Sequence, residues 1–301
     1  MNANESITGI LPVNKPQGWT SFDVVAKLRG VLKIKRLGHA GTLDPMATGV
    51  LPVFVGKATK ACDILPDSKK AYTAGFKLGI TTDTLDITGE VLQTKQASVS
   101  RGQLESAKAQ FVGEITQLPP MYSAVKVDGK RLYQLAREGK TVERKPRKCV
   151  VHSIEITAFD EDTQQGEMTI CCEKGTYVRT VIDDIGQALG TGAVMTSLVR
   201  TYSGGFDIKE CLTIEQIADI CACGRLADVI MPTQKAFELY EDIHLAQRLT
   251  VLYKNGVKLY ANQVKADSSS GETFRVFGAD GEFLGLAAFE NEMLRSVKNF
   301  Y

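Results

Sequence analysis

The distribution of apolar residues along the chain predicts many strands with helices between them. Strands are indicated where apolar residues form short runs or alternate with polar residues. Such segments lie at 10–13, 51–55, 69–78, 121–127, 144–160, 167–173 and 193–202, and a loop followed by another strand fills 79–94.

Helices are indicated where apolar residues recur at three- and four-residue intervals. After a turn at Pro16 and Gly18, Thr20 or Ser21 can cap a helix whose first turn contains Asp23. The apolar positions of this helix are Phe22, Val25, Leu28 and Leu32. Further helices are predicted at 58–65, 100–111, 130–137, 175–189, 212–221 and 245–253.

Strands with interspersed helices argue for an α+β fold, with a mainly antiparallel sheet and flanking helices. Pro232 and the polar residues after it mark a domain boundary. We therefore expect a larger domain at 1–235 and a small β-rich module at 236–301, whose core strands lie at 276–277 and 283–289.

The composition is that of an ordinary soluble protein. Of 301 residues, 44% are hydrophobic and 24% are charged, and the formal net charge is +1. Val24 to Lys60 holds seven Lys or Arg and one acid, and Lys126 to Cys149 holds nine Lys or Arg and three acids. Two basic stretches on a nearly neutral chain fit a phosphate-binding face, although charge runs are usually solvated surface.

Seven cysteines, without a C-x-x-C pair, argue against a disulfide framework and against a structural zinc site. Reduced thiols fit a cytoplasmic protein. The first residues, MNANESITG, lack the charged and apolar regions of a signal peptide. The sequence also has no apolar run of the roughly 18 residues that a membrane span needs. We therefore expect a cytoplasmic protein without membrane contact.

The stretch from Arg36 to Gly56, RLGHAGTLDPMATGVLPVFVG, combines four glycines with one acid, Asp44. Glycine permits unusual dihedrals and close approach of the backbone to another group, and Pro45 disfavours a helical conformation at Asp44. The run at 51–55 is typical of a buried strand. A carboxylate on a stiff loop before a core strand is well placed for catalysis, although Asp-Pro is also common in plain surface turns.

The usual catalytic motifs, including the P-loop, G-x-G-x-x-G, G-x-S-x-G and H-E-x-x-H, do not occur in the sequence. Asp44 remains, with Arg179 and Tyr177 of GTYVR as candidate partners. An arginine favours the ionised carboxylate and can hold it with two hydrogen bonds. A tyrosine offers a flat face to a base or sugar. Such a carboxylate can act as a nucleophile on carbon, whereas ordinary glycosidases use a pair.

Residues 38–51, GHAGTLDPMATGVL, resemble the signature of the TruB family, the bacterial tRNA pseudouridine synthases that act on uridine 55 of the T-loop. Four further blocks agree in the same order: LPVNKPQGWTSFDVV, KKAYTAGFKLGITTDTLDITG, QLPPMYSAVKVDGKRLYQLAREG and CEKGTYVRTVIDDIGQALG. The five blocks together cover about residues 10–205 and are more specific than any one of them. Beyond residue 235 the likeness to the family's small C-terminal RNA-binding module is weaker.

The resemblance implies a catalytic pseudouridine-synthase domain at 1–235 and a PUA-like RNA-binding module at 236–301. It implies that uridine 55 is flipped out and isomerised, with Asp44 attacking either the uracil ring or the ribose anomeric carbon. Arg179 would pair with Asp44 as a second catalytic residue.

The resemblance also implies which residues contact the substrate. Tyr72 would stack on the flipped base and count among the catalytic residues, and His39 would contact the nucleotides displaced with the target. The implied substrate-binding residues are Lys15, His39, Tyr72, Tyr177 and Leu198.

No metal or organic cofactor is expected, because an isomerisation has no redox or hydrolytic step. The expected partner is the T-arm of tRNA, bound by a monomer that needs no protein partner. Two other functions stay open on the residues alone. An RNA-binding protein or RNA chaperone would use the Asp44 loop structurally. A nucleoside hydrolase would need metal-coordinating aspartates, for which Asp83 and Asp86 are a poor set; we interpret these two as turn residues.

Overall fold

The computed structural model describes residues 7–127, 129–264 and 272–301. The strands are β1 Gly9–Lys15, β2 Leu37–His39, β3 Thr48–Val55, β4 Lys69–Leu78, β5 Ile80–Thr82, β6 Val91–Thr94, β7 Gly113–Gln117, β8 Lys126–Val127, β9 Lys130–Arg131, β10 Arg147–Asp160, β11 Gln165–Glu173, β12 Ala193–Ser203, β13 Phe206–Asp207, β14 Asp242–His244, β15 Leu259–Tyr260, β16 Thr273–Phe277, β17 Phe283–Glu290 and β18 Met293–Asn299. The helices are α1 Ser21–Leu32, α2 Arg101–Lys108, α3 Leu132–Arg137, α4 Val178–Ala188, α5 Ile214–Ala222, α6 Gln247–Lys254 and α7 Ala261–Val264.

The principal sheet has the strand order β1-β3-β12-β4-β11-β10-β7, with β2 beside β3 and β13 beside β12. Its neighbouring strands are antiparallel except for β12 and β3. These two run parallel and pair only at Val199 with Thr48 and at Arg200 with Gly49. A short parallel contact therefore joins two antiparallel halves, and the predicted α+β fold with a mainly antiparallel sheet is confirmed.

Helices cover the sheet because their apolar residues recur on one side. Helix α4 places Val178, Val181, Ile182 and Ile185 in a core that also contains residues of α2, β4, β10, β11 and β12. Helices α1 and α5 pack with β1 and β3 in a second core. Thr20 is the N-cap of α1 and forms a reciprocal capping box with Asp23, which fixes where this helix begins.

The C-terminal strands form a five-stranded sheet in the order β14-β16-β17-β18-β15. Phe237 and Phe300 pack in one cluster with Phe54 and Phe206 of the principal sheet. The Lys60 ammonium also donates to a backbone carbonyl at the end of β18. The C-terminal sheet is thus packed onto the larger one, and its status as a separate domain beginning at residue 236 stays a prediction.

Two predicted elements differ from the structure. The strand expected at 121–127 is reduced to β8, because residues 121–124 form a bend in which the Ser123 amide donates to the Met121 carbonyl. The helix expected at 58–65 is a short 3₁₀ helix, Gly56–Ala61, and a turn follows it in which the Ile64 amide donates to the Ala61 carbonyl.

The joint between the two halves of the sheet requires a glycine at position 49. Gly49 has φ 99°, and a Cβ there would lie 2.2 Å from the Arg200 carbonyl oxygen. We expect Gly49→Ala to lower the free energy of unfolding by at least about 1 kcal/mol, since alanine tolerates neither the dihedral nor the contact. Gly30→Ala, in an open position of α1, should raise it by roughly 0.5–1 kcal/mol. Urea unfolding followed by circular dichroism measures both, and equal midpoints would contradict this account.

Candidate active site

Asp44 lies in the loop between β2 and β3, and neighbouring backbone groups fix this loop. The Ser21 hydroxyl, at the start of α1, accepts a hydrogen bond of 2.9 Å from the Leu43 amide. The Gly18 amide donates to the Pro45 carbonyl over 2.8 Å. Asp44 is therefore held from both sides by residues that precede and begin α1.

Lys15, at the end of β1, has no exposed surface. Its ammonium donates to the carbonyls of Pro16 at 2.8 Å, Trp19 at 2.6 Å and Pro45 at 3.3 Å. Burial lowers the pKa of Lys15 to about 8. These three bonds tie Lys15 to the loop that carries Asp44. The substrate contact expected of Lys15 stays a prediction.

Arg179, the second residue of α4, is only 4% exposed and joins several segments. Its Nη2 lies 2.9 Å from Asp44 Oδ2 and donates to the Tyr122 carbonyl, also over 2.9 Å. Its Nη1 donates to the Thr84 carbonyl over 2.9 Å and lies 3.6 Å from Asp86 Oδ2. The pairing of Arg179 with Asp44 that the sequence suggested is present.

Asp86 is a site residue that sequence reasoning interpreted only as a turn residue. It is 5% exposed, and its Oδ1 accepts hydrogen bonds from the Thr84 hydroxyl and from both the amide and the hydroxyl of Thr88. It does shape the turn, but its other oxygen also faces Arg179. Arg179 thus serves two acids. No spacing rule signals this second role.

A cavity of about 230 Å³ opens beside Asp44. Five of the seven predicted site residues line it, namely Asp44, Tyr72, Tyr177, Arg179 and Leu198. Asp44 is the one carboxylate among the described residues of its wall; Asp86 contacts Arg179 but does not line the cavity. The cavity therefore offers a single acid beside tyrosines and an apolar surface.

The sheet fixes the positions of the cavity side chains. Tyr72 on β4 and Leu198 on β12 come from neighbouring strands and are 6% and 7% exposed. Tyr177 directly precedes α4, and the buried amide of Gln117 both donates to its carbonyl and accepts from its amide. Four further residues with polar side chains line the cavity without having been assigned a role from the sequence, namely Thr42, Lys70, Ser123 and Thr176.

His39 is not among the residues that line the cavity. It lies on β2, and its Nδ1 is buried without a hydrogen-bond partner. Burial lowers the pKa of His39, and the charge of Arg200 acts in the same direction, which favours the neutral ring. Its contact with displaced nucleotides stays a prediction.

The carboxyl group of Asp44 experiences opposing influences. Loss of surrounding water raises its pKa, while Arg179 lowers it; Asp86 adds to the rise and Lys15 opposes it, and the net direction is upward. The side chain remains 38% exposed, so water still reaches the carboxylate. Arg179 can therefore orient an ionised, accessible oxygen nucleophile.

Within residues 7–127, 129–264 and 272–301, no group of three or more His, Cys, Asp or Glu is arranged to hold a metal ion. The helices in the same ranges include none that is long and apolar enough to cross a membrane.

The whole fold has counterparts among solved structures. A chain in "Crystal Structure of a Cbf5-Nop10-Gar1 Complex" is similar with a TM-score of 0.76 at 26% identity, over 97% of this chain and 85% of that chain. A chain in "Crystal structure of the archaeal box H/ACA sRNP Nop10-Cbf5 complex" has a TM-score of 0.73 at 25% identity, over 97% and 86%.

Sequence comparison defines the class more closely. The family model described as "TruB family pseudouridylate synthase (N terminal domain)" matches residues 29–178, and "tRNA pseudouridylate synthase B C-terminal domain" matches 179–238. A protein of Clostridium perfringens named tRNA pseudouridine synthase B is 42% identical, over 93% of this chain and 94% of that protein. A protein of the same name from Staphylococcus saprophyticus is 45% identical, over 85% and 87%.

Together with the fold and the site, these matches define a pseudouridine synthase, an isomerase. The chain belongs to the TruB family.

The positioning role of Lys15 can be tested through stability. Lys15→Ala removes the shared donor of three backbone carbonyls, and we expect it to lower the free energy of unfolding by about 1–3 kcal/mol. Lys57→Ala removes an exposed lysine and serves as the control. Thermal and urea unfolding measure both variants. If Lys15→Ala matched the control, the ammonium would not support the loop.

Proposed function

We propose that this protein converts uridine 55 in the T-loop of tRNA to pseudouridine, with Asp44 as the nucleophile. The observation that carries the proposal is the 2.9 Å ion pair between Asp44 and the buried Arg179, at the wall of a cavity that Tyr72 and Tyr177 also line. The names of the 42% and 45% identical relatives support tRNA as the substrate.

Access to Asp44 requires the target nucleotide to leave the RNA stack. A uridine inside a folded loop cannot reach a cavity wall, so the enzyme extrudes it at a cost of a few kcal/mol. Stacking on an aromatic side chain returns roughly 1–3 kcal/mol per base. Tyr72 is suited to this stacking because the sheet holds its ring rigidly at the cavity.

The chemistry needs one ionised carboxylate and no net oxidation or hydrolysis. Asp44 attacks either the uracil ring or the ribose anomeric carbon, and the bond from the anomeric carbon to N1 breaks. The base then rotates and the anomeric carbon bonds to C5. The bond to Asp44 breaks and restores the carboxylate, and the C5 proton is released while N1 gains one. Arg179 keeps Asp44 oriented throughout, because its other hydrogen bonds anchor it to Thr84 and Tyr122.

RNA recognition is supported by exposed basic residues next to the cavity. The chain passes directly from Ser123 at the cavity wall into β8, β9 and α3. The exposed cations of this segment are Lys126, Lys130, Arg131 and Arg137. Such side chains follow phosphates and make the affinity dependent on salt, and recognition of a folded loop rests largely on its shape.

The proposed reaction predicts release of tritium from tRNA that carries 5-tritiated uridine, because the C5 proton is lost. We expect release by the wild-type protein without added metal, and none by Asp44→Asn, which lacks the nucleophile. Asp44→Asn should keep wild-type affinity in a gel-shift or anisotropy titration, because the substitution preserves the size of the side chain.

Transfer RNA with cytidine in place of uridine 55 is the matched substrate control and should release no tritium. A wild-type protein that releases none from a correctly folded tRNA would overturn the proposed function. An Asp44→Asn variant with the wild-type rate would exclude Asp44 as the nucleophile.

The charges around Asp44 predict the acid limb of the pH profile of kcat/KM, which reports groups of the free enzyme. Since the ionised carboxylate is needed and the pKa of Asp44 is raised, activity should fall already above the ordinary aspartate value of about 4. Arg179→Gln removes an attracting charge and should shift this limb to higher pH. Asp86→Asn removes a repelling charge and should shift it to lower pH. Shifts in one common direction would show that neither charge acts through Asp44.

A further inference from the structure

Arg200, on β12, is a fully buried cation for which no ion pair with an acid is found among the described residues. Its Nε donates to the Val50 carbonyl and its Nη2 to the Gly41 carbonyl, each over 2.8 Å. The Tyr72 hydroxyl lies beside the guanidinium, but Nη1 is buried without an acceptor in hydrogen-bond geometry. Buried charges are costly unless they are paired.

Lys70, on β4, is a second cation at the same place. It lines the cavity, and its ammonium forms no hydrogen bond or ion pair with a described residue. Burial lowers the pKa of Lys70 to about 8, and the charge of Arg200 acts in the same direction. An anion in the cavity beside Lys70 would relieve both effects.

The two cations converge on Gly41, three residues before Asp44. A Cβ at Gly41 would lie 3.3 Å from Arg200 Nη1 and 3.5 Å from Lys70 Nζ. Gly41 also has φ 70°, in the left-handed region that favours glycine. The glycine therefore lets the loop backbone lie close to both nitrogens, with Lys70 at the cavity wall and Arg200 buried behind it.

We propose that Lys70, at the cavity wall, binds a backbone phosphate flanking the flipped nucleotide, and that the buried Arg200 behind it adds positive charge to this anion site. The inference rests on the proposed function, in which RNA enters this cavity. Guanidinium and ammonium groups are the usual partners of phosphate oxygens.

The position of the site fits a phosphate adjacent to the target base. Lys70 and Tyr72 lie two residues apart on β4, so they share a face and are separated by about 7 Å along the strand. A nucleotide whose base reaches Tyr72 keeps its own phosphate within this distance. Arg200 donates to the Gly41 and Val50 carbonyls, so its positive charge is fixed on the buried side of the Asp44 loop, behind Lys70.

The test uses a fluorescent T-loop hairpin with one uncharged methylphosphonate linkage, placed either 5′ or 3′ of the target uridine. Affinities for the hairpin are measured with the Asp44→Asn variant and with the double variant that carries both Asp44→Asn and Lys70→Gln. The matched control is Lys69→Gln, which removes the exposed neighbouring lysine on the opposite face of β4. Lys70→Arg keeps the charge and should retain most of the affinity.

We expect Lys70→Gln to weaken binding of the unmodified hairpin about tenfold and to reduce the salt slope by about one. One of the two methylphosphonate linkages should weaken binding about tenfold when Lys70 is present. In the Lys70→Gln variant, the same linkage should cause no further loss of affinity. Lys69→Gln should retain the full methylphosphonate effect.

The site is rejected if both methylphosphonate linkages lower the affinity of the Lys70→Gln variant as much as they lower that of the protein with Lys70. It is also rejected if Lys69→Gln abolishes the methylphosphonate effect as completely as Lys70→Gln does. Tritium release by the wild-type protein is measured on the same hairpin. The expected methylphosphonate pattern without tritium release would support the anion site and overturn the proposed activity, so the two failures are distinguishable.

Discussion

The buried guanidinium of Arg179 is the interaction on which the rest of the site depends. It links α4, the Asp44 loop, the turn at Thr84 and Asp86, and the bend at Tyr122. Taking a charge out of water costs several kcal/mol, which two carboxylates and two carbonyls offset here. Removing it would leave two acids facing each other without a counter-charge, so the loop geometry and the ionisation of Asp44 have the same cause.

The cavity lies where the two antiparallel halves of the sheet meet. Strand β3 carries the Asp44 loop at its start and pairs with β12 only at the parallel joint, where Val199 lies opposite Thr48 and Arg200 opposite Gly49. Strand β12 then supplies Leu198, and its other neighbour β4 supplies Tyr72. A helix or hairpin alone could not bring these residues together, since they come from distant parts of the chain. The sheet order is therefore what assembles the site.

Local patterns predicted the regular elements well, because periodicity and caps such as Thr20 act within a few residues. The resemblance indicated Asp44 and Arg179, and strand alternation already places Lys70 on the face of Tyr72. The strand expected at 121–127 was wrong because a backbone bend there turns the Tyr122 carbonyl toward Arg179. The second role of Asp86 and the burial of Lys15 depend on groups far along the chain, which no short motif records.

Arg179 and Lys70 at the cavity wall, and Arg200 buried behind them, differ in whether the protein itself supplies a counter-charge. Arg179 is paired with two acids, whereas no ion pair of Arg200 or Lys70 with a carboxylate is found among the described residues. An RNA phosphate entering beside Gly41 would, by its negative charge, raise the pKa of Asp44 further and oppose the ionised nucleophile. Separate cations for the two anions remove this conflict, because each negative charge is neutralised locally. A phosphate can then lie close to the Asp44 carboxylate without favouring the protonated form of this acid.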